Sequence, residues 1–573
     1  MAAGELMHFR DRRRSALTVF AAATGALLVQ VSLAAPGEAA DASARASSGS
    51  PPNYMVNAPA SAPVAPYTDN FTSNFQMAPT IARDPVSGNF MAGSMDYIDE
   101  IPCAATGTAT LGGQQYTTGR CGSAAWRHTG IAALYLSSDG AHWTQQTSND
   151  GATSGGSCTA PIHTMPGYCP AGLVSGYDAE VAFGPKPSPG TAGFTWANGA
   201  RAYYANLPLR LGTSYPGPVV AVSRSDDDGA TWAAPVVLAG TASTSVVNDK
   251  EGLWVDANSA SPCFGDAYAA WDQSTDGGFT WQAVFSRSSD GGSTWTPWLN
   301  LLPQATVIQP GPMIQSLPDG TVAVGLATAV NQVPTVQVAL LSGCGQTAAP
   351  PVSVASFGNP PYTLVGSSFP ATDFPAIASD GNGALYMTWA DYTSQPLNVV
   401  RFSKSVDGGH TWTAPVTLSN TSHNAVFPVV AVTPNGAQVL VSYMSLSVHS
   451  KSPGAGAVSV QSVYVRSGNG GSTWILHPLS TSQVDLDGSS TPQLDSQQLG
   501  FYTSIIITTF GGHATAFPIW TDPRNAVPCP LVDKYRAAVA AGQSPSRPDP
   551  DIKSQCPLGF GNTDIYDAVI PLS

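Results

Sequence analysis

Short runs of apolar and β-branched residues alternate with polar turn sequences along most of the chain after residue 75. Typical runs are Val219–Val222, Ala283–Phe285 and Val463–Val465, and each is followed by a stretch rich in Ser, Asp and Gly. Short apolar runs that are bounded by turn residues are typical of β-strands. The pattern therefore predicts an all-β protein that is built from hairpins.

One octapeptide, Ser-x-Asp-x-Gly-x-Thr-Trp, follows most of these runs. Its Asp accepts hydrogen bonds from nearby backbone N–H groups, and its Gly supplies the positive φ of a tight turn. Its Thr begins the return strand, and its Trp packs under the turn. We therefore predict that each copy is a hairpin turn whose acidic or amide residue is structural. The copies, of which the last is one residue short, are marked by Asp227, Asp276, Asp290, Asp407, Asn469 and Asp139.

The octapeptide resembles the Asp-box, or BNR repeat, of the sialidase-like β-propellers. The resemblance implies a ring of four-stranded antiparallel blades around a central channel. It also implies that ligands bind at one mouth of the channel, which is lined by the loops that enter each innermost strand and by the loops between second and third strands. The octapeptide turns join third and fourth strands, and so they lie at the opposite end.

The spacing of the turns indicates how many blades there are. The step from Asp290 to Asp407 is about twice the usual interval, so we place a blade without an octapeptide at residues 305–360. Because Asp276 lies close before Asp290, we expect it in a loop within one blade. With one further blade after Asn469, the total is seven, and six is the alternative. A strand from residues 53–65 is expected to complete the last blade and close the ring.

The N-terminal region has the composition of an export signal. Four arginines between residues 10 and 14 precede an apolar run over Ala16–Ala35, and small residues follow at Ala40 and Ala42. We therefore predict a secretory signal peptide over 1–42, a Ser/Ala/Pro-rich linker over 43–75 and the propeller over 76–573. The Arg13-Arg14 pair leaves the twin-arginine route open, and an uncleaved membrane anchor is the alternative. A secreted or cell-surface protein is expected.

Charge and cysteine content narrow the partners and the compartment. The chain has 23 Lys+Arg against 37 Asp+Glu, a net charge of −14, which disfavours nucleic acid and anionic membranes as partners. We expect a monomer that binds a glycan or glycoconjugate. Eight cysteines in an exported chain predict disulfides, for which connectivity is not fixed by sequence. The pairs that we favour are Cys103–Cys121, Cys158–Cys169, Cys263–Cys344 and Cys529–Cys556.

Acidic residues are concentrated in the loops assigned to the mouth. Glycoside hydrolysis commonly uses two carboxylates, one on each side of the scissile bond. The alternative is that these acids cap strand ends and pair with Lys250, Arg524 or backbone N–H groups. The candidate catalytic residues are Asp178, Glu180, Asp249, Glu251, Asp373 and Tyr502, and the candidate substrate-binding residues are Arg524, Asp391, Tyr392 and Asp522.

The resemblance to sialidases fails at their arginine motif. That family binds a sugar carboxylate with three arginines, of which the first lies in an Arg-Ile-Pro motif, and the matching residues here are Met77-Ala78-Pro79. The resemblance further implies a Tyr nucleophile with a Glu partner, and the candidates for this pair are Tyr502 with Glu251 or Glu180. It also implies an Asp that acts as acid and base, and the candidates for this role are Asp178 and Asp249. We therefore expect an exo-α-sialidase-like glycoside hydrolase or another glycan-acting protein, with the missing motif arguing against sialic acid as the substrate. The alternatives are a non-catalytic glycan- or protein-binding propeller and a cell-surface scaffold without a small ligand.

No cofactor is expected from sequence. Two oxygen-rich segments, Asp226–Gly229 and Asp485–Gly488, have the ligand chemistry of Ca²⁺, but neither continues as an EF-hand loop. The cysteine spacings do not resemble a zinc site, and no metal site is predicted at the mouth.

Overall fold

The protein is described by a computed structural model. It covers residues 45–46, 49–59, 74–97, 107–111, 114–118, 132–146, 148–149, 163–188, 193–210, 219–240, 245–358, 363–370, 374–392, 397–491, 494–546, 548 and 556–572. The predicted signal peptide, Asp373 and three of the cysteines (Cys103, Cys121 and Cys158) lie outside these residues.

The described residues form seven antiparallel sheets of the kind predicted, and the predicted seven-bladed all-β propeller is confirmed. Blade 1 consists of Gln76–Arg83, Phe90–Asp96, Ala132–Ser137 and Thr144–Gln145. Blade 2 consists of Leu173–Pro187, Phe194–Arg210, Val220–Ser225 and Val236–Ala239. Blade 3 consists of Val247–Val255, Ala267–Ser274, Gln282–Ser288 and Leu299–Asn300. Blade 4 consists of Met313–Ser316, Val322–Val330, Val333–Ser342, Thr347–Ala348 and Val352–Ser356. Blade 5 consists of Ala376–Ser379, Leu385–Asp391, Val399–Ser405 and Val416–Thr417. Blade 6 consists of Asn424–Val432, Val439–Val448, Val458–Ser467 and Ile475–Pro478. Blade 7 consists of Ser504–Phe510, His513–Asp522, Asp564–Ala568 and Asn53–Met55.

A few elements lie outside the four-stranded blades. They are the strands Arg45–Ala46, Gly107–Leu111, Gln114–Thr118, Ser148–Asn149, His163–Thr164, Val484–Asp485 and Ile570–Pro571, the 3₁₀ turns Cys169–Ala171 and Leu486–Gly488, and the helix Pro530–Ala540. Within the described part of the chain, no helix has the length and apolar character needed to cross a membrane.

Each blade packs against the next through a buried apolar layer. Tyr203 and Val222 of blade 2, for example, lie in one cluster with Leu253 and Val255 of blade 3. A cluster of the same type joins every consecutive pair of blades. In the cluster between blades 7 and 1, Phe90 of blade 1 packs with apolar residues of blade 7. The core is therefore distributed around the ring, between blades.

The ring is closed by the N-terminal segment, as predicted. Asn53–Met55 forms the fourth strand of blade 7 and pairs antiparallel with Asp564–Ala568. The side chain of Asn57 reinforces this junction by donating to Asp564 Oδ1 at 2.9 Å. This pairing covers the edge of the third strand of blade 7, which would otherwise be exposed.

The octapeptide turns are held by their own side chains. In the Asp407 turn, Asp407 Oδ1 accepts from the Thr411 backbone N–H at 2.9 Å and Oδ2 accepts from the Thr411 hydroxyl at 2.6 Å, while Ser405 Oγ accepts from the Gly409 N–H at 2.8 Å. Five of the six turns join third and fourth strands, and the Asp276 turn joins the second and third strands of blade 3. We define the mouth end of a blade as the end at which its first strand begins and its second strand ends. Of the six turns, the Asp276 turn alone lies at the mouth end.

Two of the four favoured disulfides are present. Cys263–Cys344 connects a turn of blade 3 with a turn of blade 4, and Cys529–Cys556 closes the loop that carries the helix. The other two favoured pairs each include a cysteine outside the described residues.

Candidate functional site

The first strands of several blades carry a bulge at the mouth end. Their strand pairing shifts register at Ala78, Asp178, Lys250 and Phe427, and each of these residues has a positive φ between 40° and 55°. Positive φ is uncommon for residues other than glycine, and a bulge re-aims the side chains beside it. The bulges of blades 2 and 3 thereby bring Asp178 and Lys250 into contact.

Lys250 is the centre of the candidate site. Its Nζ donates to Asp178 Oδ2 at 2.8 Å and lies 3.2 Å from Asp249 Oδ1, and all three side chains are buried. The second oxygen of Asp249 accepts from Gln309 Nε2 at 2.8 Å. Burial raises the pKa of Asp178, and this effect outweighs the opposing influence of the Lys250 ammonium.

The Lys250 side chain reaches residues of distant blades. Its Nζ lies 4.4 Å from the ring centroid of Phe501, which precedes blade 7, and 5.9 Å from that of Phe374, which precedes blade 5. Both contacts have the geometry of a cation–π interaction. Since Lys250 belongs to blade 3, these contacts place its ammonium group inside the ring, between blades that are not neighbours.

Two glutamates adjoin this centre and differ from the aspartates in having no cationic partner among the described residues. Glu180 Oε2 accepts from the Thr80 hydroxyl at 3.1 Å. Glu251 is 4% exposed, and neither of its buried carboxyl oxygens has a hydrogen-bond partner within the described structure. Burial raises the pKa of Glu180 to about 8 and that of Glu251 well above its usual range. Burial thus favours the neutral, proton-carrying form of both side chains.

Tyr502 completes the group of polar side chains. Burial and the neighbouring carboxyl groups of Asp178, Glu180 and Glu251 raise the pKa of the Tyr502 hydroxyl well above its usual value. The hydroxyl is thus a neutral donor that faces acidic groups from two blades. We define the Lys250 cluster as Asp178, Glu180, Asp249, Lys250, Glu251 and Tyr502.

Five of the six candidate catalytic residues therefore lie together, and Asp373 lies outside the described residues. The pairing of Asp178 and Asp249 with Lys250 matches the alternative considered from sequence for those two acids. The two glutamates do not follow that alternative, because neither forms an ion pair within the part of the chain that the structure describes.

The candidate substrate-binding residues have contacts of their own away from the Lys250 cluster. Asp391 pairs with Arg401 at 2.9 Å within blade 5, and Asp522 pairs with Arg524 at 2.6 Å at the end of blade 7. Arg524 also donates to Asn53 and lies 3.9 Å from the ring centroid of Tyr566, so it helps to hold the closing strand. Tyr392 packs against the apolar cluster between blades 6 and 7.

The two segments considered for Ca²⁺ are largely occupied by protein donors. Arg201 binds both carboxyl oxygens of Asp226 at 2.8 Å, and Asn89 donates to Asp228 at 2.9 Å. Gln497 donates to Asp487 at 2.8 Å. Cys263, Asp266 and Cys344 also lie close together, but the two cysteines are joined in a disulfide and offer no thiolate.

Sequence reasoning missed Gln309, Thr80 and Phe501, and it treated Lys250 only as a neutralising partner. A weak signal was available for the bulges: Ala78 and Phe427 both precede a proline, and so does Gly311, which has a φ of 57° just before blade 4.

Neither a protein-family model nor a curated protein matches the chain. Solved structures do resemble it. A protein of unknown function from Dyadobacter fermentans is 12% identical, with a TM-score of 0.38 over 70% of this chain and 100% of that one. A Penicillium chrysogenum alpha-L-arabinanase complexed with arabinobiose is 16% identical, with a TM-score of 0.40 over 72% and 97%. A Hadza microbial sialidase is 14% identical, with a TM-score of 0.35 over 68% and 70%. These likenesses concern the fold alone.

Proposed function

We propose that the protein is a glycoside hydrolase that uses the carboxyl groups of the Lys250 cluster. The observation that supports this most directly is the coexistence of protonated and cation-paired carboxyl groups in one cluster. Glu180 has a pKa of about 8, whereas Asp178 lies 2.8 Å from the Lys250 ammonium. Acid/base cleavage of a glycoside requires one carboxyl group that gives a proton and another that accepts one, and the two environments differ in this direction: among the described residues Glu180 has no cationic partner, whereas Asp178 is paired with an ammonium group.

In this proposal Glu180 is the general acid and Asp178 the general base. Glu180 donates its proton to the glycosidic oxygen as the bond from that oxygen to the anomeric carbon breaks, and the leaving sugar departs as an alcohol. Water adds to the anomeric carbon and gives its proton to Asp178, which Lys250 favours in the charged form. Transfer of one proton back from Asp178 to Glu180 through solvent restores the starting state.

The remaining members of the cluster have supporting roles in this proposal. Lys250 and Gln309 orient Asp249, and Tyr502 is a hydrogen-bond donor for a sugar hydroxyl or for the carboxylates. Within the described residues, the cation in contact with these acids is Lys250, and its charge is shared by two aspartates. Met77, at the position of the sialidase arginine, is buried in an apolar cluster. We therefore propose an uncharged sugar as the substrate.

We also propose that the protein is exported after cleavage near Ala42. The two disulfides of the described residues suit an oxidising compartment.

The test is a panel of aryl glycosides of neutral sugars, with a sialoside included, assayed with the wild type and with Asp178→Asn. Hydrolysis of a neutral glycoside that Asp178→Asn abolishes supports the proposal. Asp407→Asn is the matched control, because Asn469 occupies the equivalent position of another turn. Full activity in Asp178→Asn, with unchanged folding by circular dichroism, would refute the assignment of the base.

A non-catalytic glycan-binding propeller is the second candidate. It is favoured by the Lys250 ion pairs, because an aspartate engaged by an ammonium group is a weaker base. It predicts saturable binding of a glycan with no product on any member of the panel.

A further inference from the structure

Asp272 is a buried carboxyl group at the mouth end that the proposed reaction does not use. It lies near the end of the second strand of blade 3, opposite Asp249 of the Lys250 cluster, and it is fully buried. Both of its oxygens accept from one donor, the Gly311 backbone N–H, at 3.2 Å and 3.0 Å. Two acids that lie opposite each other in neighbouring strands are unfavourable when both are charged, so the place of Asp272 calls for an explanation.

The segment that Asp272 binds is Gln309-Pro310-Gly311-Pro312, which leads into blade 4. We call it the 309–312 segment. Proline has no backbone N–H group, so Gly311 carries the only backbone donor among the last three residues of the segment. That donor is the one that Asp272 accepts from. Asp272 therefore anchors the backbone of the segment to blade 3.

The 309–312 segment contacts the bulge of blade 3 at two points. Gln309 Nε2 donates to Asp249 Oδ2 at 2.8 Å, at the start of the bulge. At its end, a Cβ atom on Gly252 would lie 2.6 Å from the Pro312 carbonyl oxygen, so this close approach requires glycine. The position of the Asp249 carboxylate is therefore linked to the position of the segment.

The segment also supports an aromatic ring beside the ammonium group of the cluster. The ring of Phe374 packs on Gly311, in the space that a Cβ atom would fill. The same ring centroid lies 5.9 Å from Lys250 Nζ. A shift of Gly311 would therefore be transmitted to the cluster through two side chains, the Phe374 ring and the Gln309 amide.

From these contacts we propose that Asp272 is a positioning residue of the Lys250 cluster. It acts through the 309–312 segment, which keeps Gln309 on Asp249. The inference rests on the proposed hydrolysis, and it adds to that reaction a residue that acts through other residues and not on the sugar itself.

The anchor decides how the charge of Lys250 is divided. Gln309 occupies Oδ2 of Asp249, so Asp249 turns Oδ1 towards the ammonium group. The ammonium group remains bound to Asp178 as well. Without the anchor, Asp249 is able to engage the ammonium group with both oxygens, and the proposed base Asp178 loses part of the charge that favours its ionised form. The pKa of Asp178 should rise as a result.

Asp272 suits this role because its surroundings favour its neutral form. Burial raises the pKa of Asp272 well above its usual range, and the opposing effects of the Gly311 N–H and the Lys250 ammonium do not cancel the rise. A neutral Asp272 accepts a hydrogen bond without adding a third negative charge beside one ammonium group. An asparagine at this position should therefore serve equally well.

The experiment measures the pH profile of aryl glycoside hydrolysis for the wild type, Asp272→Ala, Asp272→Asn and Gln309→Ala. We expect both alanine variants to lower kcat about 10- to 100-fold with little change in KM. The acidic limb of their kcat/KM profile should move to higher pH, because the base titrates later. Asp272→Asn should restore the wild-type limb.

Asp380→Ala is the matched control for the kinetics. Asp380 is also buried and accepts a backbone N–H, that of Ala384, at 2.9 Å, but it lies at the end of blade 5 opposite the mouth. Its acidic limb should match that of the wild type. An unmoved limb in Gln309→Ala and in folded Asp272→Ala, or an Asp272→Asn variant that behaves like Asp272→Ala, would overturn the inference.

NMR of the lysine side chains separates this inference from the proposed hydrolysis. The chain has six lysines, so carbon-13 labelling of their Cε atoms gives few signals, and Lys250→Met assigns that of Lys250. The aromatic rings beside its ammonium group give this signal a distinct position. If the wild type cleaves no glycoside, the hydrolase proposal fails, and a Lys250 signal that moves in Asp272→Ala and Gln309→Ala but not in Asp380→Ala would still support the positioning role. A Lys250 signal that stays in place in the folded variants would overturn it.

Discussion

Carboxyl groups serve opposite purposes in the octapeptide turns and in the Lys250 cluster. Hydrogen bonds from the Thr411 hydroxyl and N–H, aided by Ser405, lower the pKa of Asp407 to about 2. In the cluster, burial raises the pKa of Glu180 to about 8. The residue types are nearly the same, and the difference comes from the surroundings: several local donors stabilise the charged form of Asp407, whereas burial outweighs the single donor to Glu180, the Thr80 hydroxyl, and stabilises its neutral form.

The two regions also differ in how they are assembled. The donors to Asp407 lie within four residues of it, so the turn forms from one short segment. Besides the adjacent Asp249, the partners of Lys250 come from blade 2 and from the segments before blades 5 and 7. The turns therefore stabilise the fold locally, whereas the cluster exists only when the ring is closed. This contrast can be tested at several points.

The largest expected effect is on catalysis by Glu180→Gln. Without its proton donor, hydrolysis of glycosides with poor leaving groups should fall about 100- to 10,000-fold. Glycosides with activated leaving groups, which need little protonation, should be much less affected. Steady-state rates on the two substrate classes provide the measurement, and equal losses on both would show that Glu180 is not the acid.

The next effect is on stability in Lys250→Met. Removal of the ammonium leaves Asp178 buried beside a second carboxylate, and we expect the free energy of unfolding to fall by about 3–5 kcal/mol. Lys404→Met is the matched control, since Lys404 Nζ lies 4.8 Å from the ring centroid of Tyr386 and its loss should cost about 0.5–1 kcal/mol. Urea denaturation monitors both variants. Equal losses in the two would contradict a central structural role for Lys250.

The third effect is a difference in the pH dependence of stability. The pKa of Glu180 is higher in the folded protein than in the unfolded chain, so its contribution is complete below about pH 4.5 and is lost as the pH rises towards 8. The pKa of Asp407 is lowered to about 2, so its contribution is present above about pH 4 and is lost as the pH falls towards 2. Thermal melts across this range should show a weaker alkaline decline in Glu180→Gln than in the wild type. Parallel curves would contradict the raised pKa.

The smallest effect is in the turns. Asp407→Ala removes an acceptor from two donors of Thr411 and should cost about 1 kcal/mol of unfolding free energy. Asp407→Asn should cost less, because Asn469 accepts the equivalent backbone bond from Thr473 at 2.9 Å. Chemical denaturation that ranks Asn below Ala in stability would contradict this account of the turn.

Features set by local sequence were predictable, and those set by contacts between blades were not. The octapeptides predicted the blades, the position of Asp276 within one blade and the need for a closing strand. The same reasoning identified Asp178, Asp249 and the two glutamates, because the loops that enter the channel could be assigned. It did not predict the central position of Lys250, because that depends on a bulge and on aromatic rings from other blades. It also did not predict that Arg524, a candidate substrate-binding residue, pairs with Asp522 and donates to Asn53 of the closing strand.

The most direct test of the central claim is the ionisation of the two glutamates in the intact protein. The chain has three glutamates after residue 42, namely Glu100, Glu180 and Glu251, so selective carbon-13 labelling of glutamate carboxyl groups gives few NMR signals. Glu180→Gln and Glu251→Gln assign the two that matter. We predict that the Glu180 signal titrates near pH 8 and the Glu251 signal well above the usual range of glutamate. Titration of both near pH 4.5 would contradict the claim that the channel holds carboxylic acids ready to donate a proton.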